Sequence, residues 1–264
     1  MKFGFSYRPI IHKTELSKIL DIVDYVEIMP DIMTIDDLLE LKNAIGEKEV
    51  GIYSLKTSLA SPEGIQQQND RFYFLAGQYF NTKYYSDHVG VSYIDNKYLT
   101  TVMPTVFCKR NIDVVSMNLD GILTHYPSKK YLIENIVNPS HHPESIMSEG
   151  EFFTNIVQNN SKIGVMLDIT NAYVSAINMG IDPIKYIKDF PLEYVQTIHV
   201  AGFEYINNKI QDTHAVSINI IILELLKFVL DKTTPEFVML ERDFNHDGTN
   251  LINELKMIKN FFYL

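Results

Sequence analysis

The sequence predicts an α/β fold, a single (β/α)8 TIM-like barrel. Short apolar runs rich in β-branched and aromatic residues alternate with longer segments of helical periodicity, which is the pattern of a parallel sheet with crossover helices. These runs number eight, which favours closure into a barrel. The length of 264 residues is close to the roughly 250 typical of one such barrel, so we expect residues 1–264 to form a single domain.

Each predicted strand is a short apolar run bounded by polar residues, glycine or proline. The eight strands are predicted near residues 2–6, 24–29, 50–54, 84–91, 130–135, 163–169, 195–201 and 236–241.

The predicted helices fill the segments between these runs, and several of them start at a residue suited to capping. Thr34, for example, precedes a segment with Asp36 and Asp37 in its first turn, where carboxylates favour the positive end of the helix dipole. The helices are predicted near residues 14–22, 35–46, 63–81, 105–124, 147–159, 182–188, 215–230 and 248–261.

Composition limits the partners that we expect. The formal net charge of −10 would repel a phosphate backbone, so nucleic acid is not an expected partner. The apolar run 218–230 is too short for a membrane span and contains Glu224 and Lys227, so no membrane role is expected. Cys108 is the single cysteine, which excludes an intramolecular disulfide and a cysteine-rich metal site and fits a cytoplasmic setting.

Six segments place a histidine or a carboxylate where an apolar, strand-like run ends. They are SDHVG (Asp87, His88), LIENI (Glu134), MLDITN (Asp168, Asn171), IHVAG (His199), QDTHA (Asp212, His214) and MLERD (Glu241, Asp243). In a (β/α)8 barrel the carboxyl ends of the strands surround the active site. We therefore expect these side chains to meet in one crevice and to bind metal ions there.

The carboxylates among them are hard to explain without a cation. Glu134, Asp168 and Glu241 follow apolar runs, and burial of an unpaired charge costs several kcal/mol or shifts the pKa until the group is protonated. Arg242 and Lys129 are alternative salt-bridge partners, and hydrogen-bond donors are a further alternative. A bound metal ion would satisfy all three carboxylates together.

The number and type of donor atoms limit which metal ions, and how many, the site could bind. Asp212 and His214 are two residues apart, so an extended backbone would turn both to the same side. Asn171 adds an amide oxygen. The full set is too large for one ion, but two or three ions could share it, and oxygen and nitrogen donors without thiolate suit iron, manganese or zinc. The predicted ligands are His88, Glu134, Asp168, Asn171, His199, Asp212, His214 and Glu241.

The residues and spacing of these motifs resemble those of a known protein family. SDHVGVS, LIENI, LDITNAYVSAINMGIDPIKYI, IHVAGF, DTH and ERD, from about residue 84 to 243, are similar in order and spacing to the multinuclear non-haem iron-dependent oxidases (MNIO), which act in methanobactin and 3-thiaglutamate biosynthesis. The resemblance implies a xylose-isomerase-like barrel with two or three iron ions in mixed Fe(II)/Fe(III) states. It also implies oxidation by dioxygen of a ribosomal precursor peptide, at a cysteine, and a companion protein that recognises the leader. By matching motif, the family's ligands fall on the same eight residues.

Two positions depart from the family pattern. Tyr53 lies at the end of the third predicted strand, and Phe203 follows IHVAG; many relatives have histidine at both positions. The change at Tyr53 concerns the iron that His88 and Glu134 would hold. It would weaken that site, leave only two metals, or supply a phenolate ligand.

Two other functions fit the same predicted barrel. Divalent metals could polarise a carbonyl or phosphoryl oxygen, as in a metal-dependent sugar isomerase or a phosphodiesterase. The chain could also be a non-catalytic metal-binding subunit. No phosphate-binding glycine motif is present in the sequence, so a nucleotide cofactor is not expected.

Overall fold

In the computed structural model, which describes residues 1–126, 130–207, 209–243 and 248–261, parallel strands close into a barrel. The described strands are β1 (Lys2–Tyr7), β2 (Tyr25–Ile28), β3 (Glu49–Ser54), β4 (Asn81–His88), β5 (Gly90–Ile94), β6 (Lys97–Pro104), β7 (Lys130–Glu134), β8 (Ile163–Asp168), β9 (Val195–Val200), β10 (Phe203–Ile206), β11 (Lys209–Asp212) and β12 (Phe237–Leu240). The barrel order is β1-β12-β9-β8-β7-β4-β3-β2, while β5–β6 and β10–β11 form two antiparallel hairpins.

Helices follow most of the barrel strands and pack around the outside. The described helices are α1 (Lys13–Leu20), α2 (Ile35–Ile45), α3 (Gln67–Gln78), α4 (Lys109–Leu123), α5 (Glu149–Val157), α6 (Ile169–Met179), α7 (Pro183–Lys188), α8 (Ile220–Leu230) and α9 (Gly248–Phe261). Within the described ranges, no helix has the length and apolar character needed to cross a membrane.

The predicted fold class is confirmed, and each predicted strand matches one barrel strand. The largest difference is at β4, which was predicted for 84–91 and ends at His88 because residues 90–104 turn back as the β5–β6 hairpin. The cap at Thr34 is also present, since its hydroxyl accepts from the Asp37 amide at 3.1 Å and its own amide donates to that carboxylate at 2.7 Å.

Three features differ from the prediction. Helix α6 starts directly at the end of β8, without a connecting loop, and was not predicted. Both hairpins were also missed. Consequently Asp212 lies at the end of β11 in a hairpin that follows β9, not at the end of a barrel strand.

An apolar layer fills the barrel below the carboxyl ends of its strands. The rings of Tyr25 and Phe237 have centroids 4.5 Å apart, and those of Tyr84 and Phe237 are 5.5 Å apart. Glycines make room for these rings: a Cβ at Gly51 would lie 2.3 Å from the Tyr84 ring. This packed layer forms a rigid, dry floor under the strand ends.

Replacement of Gly51 by alanine should therefore destabilise the protein. The added methyl collides with Tyr84, and overpacking of this kind typically costs about 1–3 kcal/mol of the free energy of unfolding, measurable by urea denaturation. Gly121→Ala is the control, because its Cβ in α4 would meet nothing closer than 3.8 Å. The control should stabilise by about 0.5–1 kcal/mol, and equal effects of the two changes would contradict the argument.

Candidate metal centre

Each of the eight barrel strands places one polar side chain at the same end of the barrel. These residues, all buried or nearly so, are Arg8 after β1, Glu27 on β2, Tyr53 on β3, His88 on β4, Glu134 on β7, Asp168 on β8, His199 on β9 and Glu241 after β12. Because the strands are parallel, their carboxyl ends bring these groups into one cluster above the apolar layer.

His199 lies at the centre of this cluster and is fully buried. Its Nδ1 is 3.0 Å from Glu134 Oε1 and 3.3 Å from Glu241 Oε2, and its Nε2 is 3.3 Å from Glu27 Oε2. Burial alone would lower the pKa of His199, but the carboxylates, Glu27 foremost, outweigh it and raise that pKa well above its usual value.

Some buried oxygens of the cluster have no hydrogen-bond partner among the described residues, among them Asp168 Oδ2 and Asp212 Oδ1. The two oxygens of Glu134 have imidazole nitrogens as neighbours, His199 Nδ1 at 3.0 Å and His88 Nε2 at 3.4 Å. Burial, together with the neighbouring charges of Asp212 and Glu134, raises the pKa of Asp168 well above its usual value. Buried carboxylates in a native protein normally have partners, so these free oxygens indicate a cation that binds between them.

Two groups of donors are compact enough to hold an ion. Single ligand atoms of Glu134, Asp168, His199 and Glu241 lie within 4.8 Å of one another, and so do those of His214, Glu241 and Asp243. Glu241 belongs to both groups, which is the arrangement expected of a carboxylate that bridges two ions. Asp243, which the sequence placed in the ERD motif but not in the ligand set, belongs to the second group.

Asp168 is oriented by the start of α6. One carboxylate oxygen, Oδ1, accepts from the amide of Asn171 at 2.7 Å and so caps the helix, which leaves Oδ2 free toward the cluster. Asn135, not identified from the sequence, pairs with both backbone groups of Asp168, each at 2.9 Å. The Asn171 side chain donates to the Asn135 carbonyl at 3.1 Å, so three residues hold one another in place.

Arg8 holds the carboxylates of Glu241 and Asp243 in place. Its Nη2 lies 2.7 Å from Glu241 Oε1 and 2.5 Å from Asp243 Oδ1, with the guanidinium buried. Burial would raise the pKa of Glu241, but His214, His199 and Arg8 together lower that pKa well below its usual value. The sequence analysis did not identify Arg8, which directly follows β1.

The side chains of Asp212 and His214 are in contact, as expected, but the backbone that brings them together is not extended. His214 Nε2 is 2.5 Å from Asp212 Oδ2 and its Nδ1 is 3.2 Å from Asp243 Oδ2. The predicted extended backbone is wrong at His214, which has φ +50°. Backbone hydrogen bonds from His214 to Gly202 (3.2 Å) and from Asp243 to His214 (3.0 Å) hold this turn over the barrel mouth.

Tyr53 is buried inside the cluster and contacts His88. Its hydroxyl is 2.8 Å from His88 Nε2, and that nitrogen is 3.4 Å from Glu134 Oε2. Burial raises the pKa of Tyr53 well above its usual value, and the nearby Glu134 adds to the effect. Burial lowers the pKa of His88. Neither residue belongs to the two compact donor groups among the described residues.

Three residues that the sequence analysis discussed near the site make their contacts outside the cluster. Asp87 accepts from Ser54 Oγ at 2.8 Å, and burial raises its pKa to about 8. Arg242, an alternative partner of the site carboxylates, pairs instead with Glu254. Phe203 packs on Tyr173 with ring centroids 5.1 Å apart. Lys129, the other alternative partner, lies outside the described residues.

A cavity of about 460 Å³ opens above the cluster. Its floor includes Tyr53, His88, Asn171, Asp212, His214, Glu241 and Asp243, and one wall is residues 98–102 of β6. Glu134, Asp168 and His199 do not line it, so the first donor group is the more enclosed and the second faces the opening. The unpredicted β5–β6 hairpin therefore shapes the entrance.

A family model described as "RiPP precursor modification enzyme MbnB/TglH/ChrH" matches residues 2–263. The chain belongs to this family. The resemblance that the motifs indicated is thereby confirmed for the family of RiPP precursor modification enzymes.

Relatives of the chain include proteins that are named by a family number. The "UPF0276 protein" of Caulobacter vibrioides is 24% identical over 244 residues, which is 91% of this chain and 86% of the relative. The "UPF0276 protein" of Psychromonas ingrahamii is 30% identical over 165 residues, or 61% of this chain. The match spans 57% of that relative and 57% of the one from Chromobacterium violaceum.

Solved structures share the barrel. The 3-keto-D-glucoside 4-epimerase YcjR from E. coli has a TM-score of 0.63 at 12% identity and covers 98% of this chain and 99% of its own. A "Xylose isomerase-like TIM barrel Protein" from Mycobacterium smegmatis has a TM-score of 0.59 at 9% identity and covers 96% of this chain and 90% of its own. At these identities the likeness establishes the xylose-isomerase-like fold.

Replacement of Asp168 by asparagine should have opposite effects on the metal-free and metal-loaded protein. Asparagine keeps the helix cap but removes a buried charge whose free oxygen repels its neighbours, so the metal-free protein should gain about 1–3 kcal/mol in free energy of unfolding. The stabilisation that added metal gives to the unchanged protein should be lost. Thermal and urea denaturation without iron measure the gain in stability, and the same experiments with iron measure the loss of stabilisation by metal.

Asp182→Asn is the matched control, because Asp182 also caps a helix, accepting from the Lys185 amide at 2.8 Å, but is exposed. This change should alter neither quantity. Retention of the metal effect in Asp168→Asn would exclude Asp168 as a ligand.

Proposed function

We propose that the protein is a multinuclear non-haem iron oxidase that uses dioxygen to modify a ribosomally synthesised precursor peptide at a cysteine. The observation that carries the proposal is the buried cluster of carboxylates and imidazoles, some of whose oxygens lack a partner among the described residues, in a member of a precursor-modifying family. A companion protein that recognises the peptide leader belongs to the same proposal.

The donor chemistry fits iron. We assign the proposed ligands to His88, Glu134, Asp168, Asn171, His199, Asp212, His214 and Glu241, with Asp243 added from the second compact group. All of them offer oxygen or nitrogen, a set that suits iron, manganese or zinc. Zinc has no redox chemistry, and histidine–carboxylate sites are typical of non-haem iron enzymes that use dioxygen.

The charge of the site supports a mixed-valence pair of ions. Six carboxylates surround the site, and the Arg8 guanidinium offsets one of them, which leaves five formal negative charges if the imidazoles are neutral. One Fe(II) and one Fe(III) ion would balance this charge. Three ions would exceed it unless anionic substrate or solvent ligands were added.

The cavity fits entry of a peptide side chain. It lies over the second donor group, and it is walled by Tyr98 and Leu99 of β6 and by Leu55 after β3. Cys108 does not line it, so a reacting thiol has to come with the substrate. Glu134, Asp168 and His199 lie beneath and do not line the cavity, so they are shielded from water that enters with the substrate.

Anaerobic purification with iron, followed by metal analysis and Mössbauer spectroscopy, tests the metal part of this proposal. More than one iron per chain is expected, in two valence states. If a short cysteine-containing peptide is encoded beside the gene, co-expression with that peptide followed by mass spectrometry tests the reaction. A modified peptide should form only in air and only with the unchanged protein, while a variant with His199→Asn should leave it unmodified.

Two outcomes would contradict the proposal. Zinc as the only metal, with oxygen uptake unchanged by every peptide, would favour the non-catalytic subunit. Turnover of small sugars with manganese or cobalt in the absence of oxygen would favour an isomerase.

We further propose that Tyr53 stays a neutral phenol whose oxygen accepts the N–H of His88, and that Tyr53 does not bind iron. Tyr53→Phe should then leave the iron content unchanged, whereas Tyr53→His should add an iron, because imidazole offers a ligand beside His88 and Glu134. Metal analysis measures both. A visible charge-transfer absorption that disappears in Tyr53→Phe, together with loss of iron, would instead identify a phenolate ligand.

A further inference from the structure

Glu27 is a carboxylate of the cluster that the sequence analysis did not identify and that belongs to neither compact donor group. It lies on β2 and is fully buried. Its Oε2 accepts from the Tyr84 hydroxyl at 2.8 Å and lies 3.3 Å from His199 Nε2. Tyr84 is itself packed in the apolar layer, so Glu27 has a fixed position.

The two nitrogens of His199 face different surroundings. Nε2 points to Glu27, whereas Nδ1 points to Glu134 and Glu241, which are members of the first donor group. A neutral imidazole carries one N–H. The carboxylates beside Nδ1 belong to the donor group that would hold the ion, so Glu27 beside Nε2 is the carboxylate left to accept this N–H. The other nitrogen then presents its lone pair.

We infer that Glu27 is a positioning residue that holds the proton of His199 on Nε2, so that Nδ1 is the nitrogen that binds the ion. This inference rests on the metal centre of the proposed function. It assigns Glu27 a role outside the ligand set: the carboxylate fixes the tautomer and the ring orientation of a ligand. It also explains why a carboxylate is buried on the side of His199 that lies away from Glu134, Asp168 and Glu241.

Nitrogen-15 NMR of the histidines in the zinc-loaded protein tests the tautomer without any change in sequence. The resonances of His199 are assigned by their absence in His199→Asn. We expect a proton on Nε2 and a metal-shifted Nδ1. A metal-bound Nε2, or a proton on Nδ1, would overturn the inference.

The variant Glu27→Gln tests the role of the carboxylate. Competition with a chromophoric chelator should show zinc binding weakened by about 10–100-fold, the usual effect of removing a partner behind a ligating histidine. The number of ions at saturation should be unchanged, and the Nε2 proton signal of His199 should shift or broaden. Loss of an ion at saturation would mean that Glu27 is itself a ligand.

Glu254→Gln is the matched control, because Glu254 is also a buried carboxylate but pairs with Arg242 outside the cluster. It should lower stability and leave zinc affinity unchanged. Unchanged affinity in Glu27→Gln, with full metal content in the unchanged protein, would overturn only this inference. Absence of bound metal in the unchanged protein would overturn the proposed metal centre and this inference with it.

Discussion

The structure depends on one electrostatic constraint: several carboxylates are buried together at one end of the barrel and need positive charge to remain ionised there. Glu27, Glu134, Asp168 and Glu241 are at most 3% exposed, so water cannot solvate them. Arg8 supplies one compensating charge, and it is not enough for the set. The apolar layer of Tyr25, Met166, Phe237 and Met239 beneath the cluster makes the constraint stricter, because it keeps solvent from reaching the carboxylates from below. A fold with this arrangement is most stable when cations occupy its mouth.

Neighbouring groups anchor one oxygen of three of these carboxylates. Asp168 uses Oδ1 for the cap of α6, Glu241 uses Oε1 for Arg8, and Glu27 uses Oε2 for Tyr84. Anchoring fixes the direction of the second oxygen before any ligand arrives, which lowers the entropic cost of binding. The anchors come from backbone amides, a guanidinium and a phenol on different elements, so the geometry of the site depends on the whole barrel end. Damage to the packing beneath, for instance at Tyr84, would therefore disturb the site as well as the stability.

The barrel and part of the site could be predicted from the sequence because of the way parallel strands are buried. Strands covered on both faces appear as continuous apolar runs, and a charged residue at the end of such a run stands out. Glu27 did not stand out, since YVEIM reads as an interrupted strand and the residue lies inside β2. Helix α6 was missed because Asp168 is both the last residue of β8 and the cap of the helix, so MLDITNAYV reads as one apolar segment. The hairpins were missed because β6 and β10 are largely exposed and lack the apolar runs of the barrel strands.

Fold alone does not select the reaction, since an epimerase and a xylose-isomerase-like protein share this barrel at similar TM-scores, 0.63 and 0.59. The donor set and its access are more selective. Among the described residues, the enclosed group of Glu134, Asp168 and His199 is shielded from the cavity, whereas Asp212, His214 and Asp243 face it. Two neighbouring positions with such different exposure suit different tasks, because a substrate group can reach only the open side. Cys108 does not line the cavity, so the oxidase proposed above would need a peptide to bring any sulfur ligand to that side.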